Sequence, residues 1–267
     1  MTEPLAAPAT SLVKALRVLL ALEDSPQGRG VSDIARALHL PKSAVHRLLV
    51  TFQACGFVQQ QAASSRYTLG PVLARLGLRT ADLCTPRRAA RPHMQALAAE
   101  VRESVFLGVL CETQILVVEK VEQGQGLRLA PEVGTTLPLL HTSLGLIWLA
   151  CCDPTQRDQL LATLLPLSSP TAPARPLDSW HQELRSIAQQ GFALSMETWM
   201  PDLCCIAVPV RTTRGELVAA LAITVPRSRL PQPPRHDPFA QATQAQHAPA
   251  WLPALVRTTE RISAALP

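Results

Sequence analysis

The run Val31-Ser-Asp-Ile-Ala-Arg-Ala-Leu-His-Leu-Pro-Lys-Ser-Ala-Val-His-Arg-Leu-Leu49 gathers polar and basic side chains at helical spacing. Lys42 and His46 stand four residues apart, as do Ser43 and Arg47, so each pair shares a helix face. Val45, Leu48, Leu49 and Phe52 make the apolar stripe of the same helix. Guanidinium, ammonium and hydroxyl groups in that arrangement suit base edges and phosphates. Ser43, Ala44 and Arg47 are placed to meet base edges; Lys42 and His46 favour phosphates. Ser32, just upstream, is both a candidate contact and a candidate helix cap.

The elements that must position these groups are legible around them. Ser32 opens a first helix whose Ile34, Ala35 and Leu38 fall on one face. His39-Leu40-Pro41 ends it, because a residue before proline is pushed away from helical geometry. Pro41 then suits the first position of the second helix, and Gly56 its C-terminal stop. Phe57–Gln60 and Arg66–Leu69 alternate apolar with polar about a small-residue turn, which predicts a hairpin, or wing, with Arg66 reaching a phosphate or the minor groove. Upstream, Leu12, Val13, Leu16, Leu19 and Leu20 read as the buried stripe of another helix. Helix, turn, basic-nosed helix and wing in that order predict a winged helix-turn-helix over residues 11–70.

Charge agrees with this division. Residues 1–80 hold nine Lys/Arg against four Asp/Glu, whereas residues 81–267 hold sixteen of each. The whole excess of five positive charges therefore accompanies the helix-turn-helix, the footprint of a nucleic-acid module joined to a neutral partner domain. At 267 residues and 47% hydrophobic, the chain can build two cored domains. Residues 1–10 read as a disordered lead without a basic cluster, and no stretch is apolar enough to span a bilayer, so a cytoplasmic protein is expected.

Downstream, Gly70-Pro71 opens a linker helix over residues 71–85, with Leu73, Leu76 and Leu83 spaced for burial. A second domain over 86–267 starts with an amphipathic helix, 88–102. Strands are expected at 104–110, 114–121, 127–130, 192–197, 205–212 and 216–225. Helices are expected at 144–152, from Asp153 to about Leu164, at 177–190 and at 251–266. Residues 226–250 carry six prolines and read as an irregular insertion. Strands mixed with helices in no regular alternation give an α+β class.

Catalytic signals are absent: there is no Gly-rich phosphate loop and no G-x-S-x-G elbow, and Cys205 with His141 has nothing local to pair them. An enzyme is not expected, nor a cofactor. Seven cysteines include the adjacent pairs Cys151-Cys152 and Cys204-Cys205, but no C-x-x-C and no Cys/His set with metal spacing. They read as small buried hydrophobes, with redox sensing the alternative.

Pro41–Leu49 and Arg66-Tyr-Thr-Leu-Gly-Pro71 resemble the IclR-type bacterial transcriptional regulators. So do Leu127-Arg-Leu129, Val133-Gly134, Leu137-Pro138, Leu144-Gly145, Cys205–Val210 and Arg261–Leu266. The resemblance implies a GAF-like second domain, with helices on one side of an antiparallel sheet and loops over a pocket on the other. It implies a small-molecule effector at His141, Thr142, Ser143 and Leu144, facing Ser195, Glu197 and Cys205 on strands. Capping alone accounts for Thr142 and Ser143 as fully as ligand binding does. It further implies a homodimer or dimer of dimers on palindromic double-stranded DNA, with the linker helix contributing to dimer contacts. The chain departs from the family pattern at Leu140, Leu146, Trp148, Ser195 and Cys204, changes that mostly remove or shift a charge near the implied pocket. Either a weakly polar effector or a degraded pocket follows. The rivals are a ligand-free oligomerisation platform and a catalytic domain tethered to DNA.

Overall fold

The computed structural model describes residues 10–23, 25, 27–83, 85–123, 131–167, 176–196, 202–227 and 251–266. The chain divides into two compact units, Met1–Leu83 and Cys84–Pro267. In the first, helices α1 (Thr10–Leu20), α2 (Val31–Leu38) and α3 (Lys42–Ala54) precede a hairpin of β1 (Val58–Gln60) and β2 (Tyr67–Leu69), then helix α4 (Pro71–Leu83). Val18, Leu22, Ile34, Ala35, Val45, Leu49, Val58 and Tyr67 form its core. Arg29 exchanges both backbone hydrogen bonds with Tyr67, at 3.0 and 2.9 Å, adding a third short edge to the hairpin.

The α2–α3 turn is fixed by backbone geometry more than by Pro41. His39 adopts a left-handed conformation (φ 53°) and donates to the Arg36 carbonyl, while Leu40 donates to Ala35. This bond pair closes a helix on a left-handed residue. α3 ends the same way on Gly56 (φ 76°), which donates to Gln53 while Phe57 donates to Phe52. Ser32 is not the cap of α2. The helix starts at Val31 with extended Gly30 as its N-cap, which leaves Ser32 inside the first turn. Pro41 sits at the N-cap of α3, one place before the expected position.

The apolar stripe expected on α1 faces outward. Leu12, Val13, Leu16 and Leu20 are 40–62% exposed, and burial runs instead along Val18 and Leu22, with Leu19 half-buried. Apolar residues cover two faces of this helix, so spacing could not choose between them. On α4, Leu76 is exposed and Leu73 only half-buried, against expectation. The Leu83 side chain lies outside the described residues.

The second unit is a six-stranded antiparallel sheet in the order β5-β4-β3-β8-β7-β6. Its strands are β3 (Ser104–Cys111), β4 (Gln114–Val121), β5 (Thr136–Pro138), β6 (Ala193–Met196), β7 (Leu203–Arg211) and β8 (Leu217–Pro226). Its helices are α5 (Thr85–Val101), α6 (Ser143–Cys151), α7 (Pro154–Leu164), α8 (Leu177–Gln190) and α9 (Leu252–Ala264). β5 was not foreseen. The strand expected at 127–130 lies outside the described residues, as do most of the lead and most of the 226–250 insertion.

Helices cover both faces of the sheet, not one. α5 and α9 pack with Leu107, Ile206, Val208, Leu221 and Ile223 on one side. α6 and α8 pack with Phe106, Ile115, Ala207, Ala220 and Ala222 on the other. β4 carries a bulge: Leu107 pairs with Glu119 and Gly108 with Val117, which leaves Val118 as the extra residue. The bulge turns Glu119 to the α5 side, where its buried carboxylate meets Arg87 Nε at 3.1 Å and Arg91 Nη1 at 3.7 Å.

α6 is buried almost all round, and it is held close by small residues. A Cβ on Gly145 would collide with the backbone of Leu139, and one on Gly108 with the side chains of Ile115 and Leu144. Gly145→Ala should therefore lower the unfolding free energy by about 1–3 kcal/mol, the range for forcing extra volume into a packed site. Urea titration reads this directly. An unchanged midpoint would mean that α6 can shift away from Leu139.

Candidate nucleic-acid interface and sensor site

The stripe of α3 that carries Val45 and Leu49 is fully buried, which turns the first two turns of its other side outward. Lys42, Ser43, His46 and Arg47 are exposed and, with Val31 and Ser32 of α2 and with Val50, line one open groove. Five of the six helix-borne contacts expected from sequence thus share a surface. Ala44 is half-buried and does not line it. Among the described residues, neither Lys42 nor Arg47 forms an ion pair, so both cations are free to meet an external anion. The groove offers two cations, two hydroxyls and an imidazole, with no carboxylate in its lining.

The wing forms as expected, and its arginine makes a contact that the sequence did not show. Its tip, residues 62–65, is made of small exposed residues. Arg66 Nη1 donates to the Gly28 carbonyl at 3.0 Å, bracing the hairpin against the α1–α2 loop. The Ser64 hydroxyl donates to Gln61 Oε1 at 2.8 Å and the Gln61 amide donates to the Arg66 carbonyl. A guanidinium within one hydrogen bond of its own backbone is a structural brace before it is a DNA contact.

In the second unit, Thr142 is the N-cap of α6. Its hydroxyl accepts from the Gly145 amide at 3.2 Å and donates to the Pro138 carbonyl at 2.8 Å. Such a cap contributes about 1 kcal/mol. Ser143 is almost completely buried and its hydroxyl has no hydrogen-bond partner. Leu144 is fully buried against Gly108, a core contact more than a ligand contact, whereas His141 is exposed. Glu197 lies outside the described residues.

Ser195 and Cys205 face each other across β6 and β7, and Cys205 faces Thr224 across β7 and β8. Strand alternation puts all three on the side of Ala193, Ala207 and Ala222, the side that α6 covers. Cys205 Sγ lies 3.4 Å from Thr224 Oγ1. Burial pushes the Cys205 thiol up to about 11, against the weaker opposite pull of hydrogen bonds to Thr224 and Ser195. It is therefore a neutral thiol at physiological pH, not a nucleophile. Sequence reasoning missed Thr224; the register β7–β8 supplies it. Among the described residues, no cluster of His, Cys, Asp and Glu could hold a metal ion, and no helix is long and apolar enough to cross a membrane.

Residues 80–249 match the family described as bacterial transcriptional regulator IclR C-terminal, and residues 11–62 match the IclR helix-turn-helix domain. The glycerol operon regulatory protein of Streptomyces coelicolor is 34% identical over 220 residues, covering 82% of this chain and 86% of that one. The crystal structure of an IclR family transcriptional regulator from Brucella abortus is similar with a TM-score of 0.76 at 25% identity, covering 100% of this chain and 97% of that one. An IclR homolog from Microbacterium hydrocarbonoxydans, crystallised with 4-hydroxybenzoate, shares the fold with a TM-score of 0.73 at 24% identity, covering 96% and 99%.

The raised Cys205 thiol gives a sign-definite pH dependence. Folding holds this proton more tightly than the unfolded chain, whose thiol titrates near ~8.5. The contribution is full below that pH and is lost as pH rises toward 11. Wild type should therefore lose stability relative to Cys205→Ser as pH is raised from about 8 to about 10.5. Parallel urea midpoints over that range would show an ordinary thiol.

Proposed function

The chain belongs to the IclR family of bacterial transcriptional regulators, and from that premise we propose that it reads DNA through the α3 groove under the control of a small-molecule effector in its second unit. One observation carries the DNA reading: Lys42 and Arg47, both exposed and unpaired, flank Ser43 in a single groove with Ser32 and His46. Arg47 is the group suited to bidentate contact with guanine, and Ser43 to a neighbouring base edge. Lys42 and His46 meet phosphates, and Ala44 packs at the rim. Arg66 acts on DNA only if it leaves Gly28, so its part is to set the angle of the wing.

The functional unit is a homodimer, or a pair of dimers, on a palindromic operator. The exposed face of Leu12, Val13, Leu16 and Leu20 on α1, with Leu76 and Leu78 on α4, supports this reading. So many large side chains on one small head are an apolar surface that a second copy would cover. The sensor is the α6 side of the sheet, around Thr142, Ser143, Ser195 and Cys205, with His141 just before α6; Glu197 keeps the part that the family resemblance implies for it. The effector acts by preferring one arrangement of the dimer over another. The Microbacterium homolog with bound 4-hydroxybenzoate supports a ligand-binding second unit in this chain as well. The protein works as a regulator located with the DNA in the cytoplasm, with no chemical step of its own.

Selection of bound fragments from genomic DNA, followed by titration of the selected site, tests this reading. Arg47→Ala should cost about 1–3 kcal/mol on that site and relax its sequence preference. Lys42→Ala should weaken binding to all sequences and lower the salt slope by about one unit. An unchanged ratio of specific to random binding in Arg47→Ala removes it from the base-reading set.

The dimer surface is tested by Leu16→Glu. Sedimentation should show a smaller assembly than wild type, with half-sites bound independently. An assembly of unchanged mass moves the dimer contact off α1.

A further inference from the structure

We propose that Cys151 and Cys152 form a dithiol site that chelates a thiophilic centre of the trivalent organoarsenic class. The two cysteines follow one another where α6 ends: Cys151 is its last helical residue and Cys152 its C-cap. Both are half-buried, so each sulfur has packed surroundings and a path to solvent. The site stands at the opposite end of α6 from Thr142, about 15 Å along the axis at ~1.5 Å per residue, and does not depend on the sensor reading.

The other adjacent pair shows what this position adds. Cys204 and Cys205 lie on β7, where successive side chains point to opposite faces of the sheet. Cys204 packs on the side of α5 and α9, and Cys205 on the side of α6, so no single atom can bridge their sulfurs. Consecutive side chains on a helix diverge by only about 100°, and at Cys152 the backbone turns to an extended conformation (φ −77°, ψ 170°). Cys55 and Cys111 are exposed, but neither has a cysteine beside it in sequence. The Cys152 thiol is pushed up chiefly by burial and in smaller part by Cys151, so the two sulfurs share one environment.

The same geometry favours chelation over a disulfide or a structural metal. Adjacent α-carbons stand about 3.80 Å apart across a trans peptide, short of the ~4.4 Å at which disulfides begin. A direct S–S bond would strain this turn, whereas one intervening atom widens the sulfur separation. Burial pushes both thiols up, and Arg211 beside Cys151 and Arg157 beside Cys152 oppose this without cancelling it. Oxidation runs through the thiolate, so protonated thiols resist it. Among the described residues, no group of His, Cys, Asp and Glu could hold a metal ion, which sets aside four-coordinate zinc. A trivalent organoarsenical needs only two sulfurs, because its third bond is to its own carbon. The step is a condensation. Two S–H bonds and the arsenic–oxygen double bond break, two As–S bonds form, and the oxygen leaves with both protons as water. Arsenic stays trivalent, and no oxidant or reductant takes part.

The test uses the full-length protein, reduced, freed of reductant and given one equivalent of phenylarsine oxide under native conditions. Peptic digestion in acid and mass spectrometry then locate the adduct. The phenylarsenic mass should sit on a peptide that holds both Cys151 and Cys152. The glutathione concentration that removes half of the adduct should fall by about 100-fold in Cys151→Ser and in Cys152→Ser, because the second thiol acts at an effective concentration that a free thiol does not match. Thermal melts establish that both variants are folded, and the wild-type map decides the question even if one is not. An adduct on Cys204 with Cys205, or on Cys55 or Cys111, overturns the inference. So does a wild-type adduct that glutathione removes as readily as it does from the variants, or the absence of any adduct.

Discussion

The second unit depends on how closely α6 can approach the sheet. That helix is apolar on every side, so it is stable only if protein covers it all round. α8 covers one flank and the sheet another, and the sheet side accommodates it by shedding volume: Gly108, Ala193, Ala207, Ala220 and Ala222 all lie on that face. Gly145 performs the same task toward Leu139. Close approach has a second effect. It keeps Thr224, Cys205 and Ser195 on the same face of the sheet as the helix.

The two units place their cations differently. The sheet domain pairs several of its cations internally: Lys120 between two glutamates, Arg87 and Arg91 on the bulge-directed Glu119, Arg257 on Glu100. The head leaves Lys42 and Arg47 exposed and unpaired. Surface ion pairs contribute little to stability, so pairing the head's cations would gain little there and would compete with phosphate binding. The charge asymmetry of the sequence is therefore an asymmetry of use.

Much of the fold was legible in the sequence, and the failures have physical causes. α8 and β4 lie where periodicity and turn residues put them, and α3 with its Gly56 stop does too, because each carries one strong pattern and a clear end. β5 escaped because three residues are too few for a period to register. The α1 stripe was misread because its leucines occupy two faces and only tertiary contact selects one. Four groove residues of α3 were legible from spacing, since i to i+4 pairs meet on any helix. The bond from Arg66 to Gly28 was not foreseen, because a partner thirty-eight residues away leaves no local trace. Thr224 was missed because register across strands is invisible in a single sequence.

The wing ends in alanine and serine, and its arginine is folded back on Gly28. On the proposed reading, discrimination between DNA sequences is concentrated in the opening turns of α3, in exposed side chains that contribute almost nothing to the core beneath them. A reader built this way is easy to re-address. If those positions read DNA, substitutions there would change the genes it governs without disturbing the core of the head. Duplicated copies of such a chain could diverge in target while keeping one input, or keep the target and exchange the input.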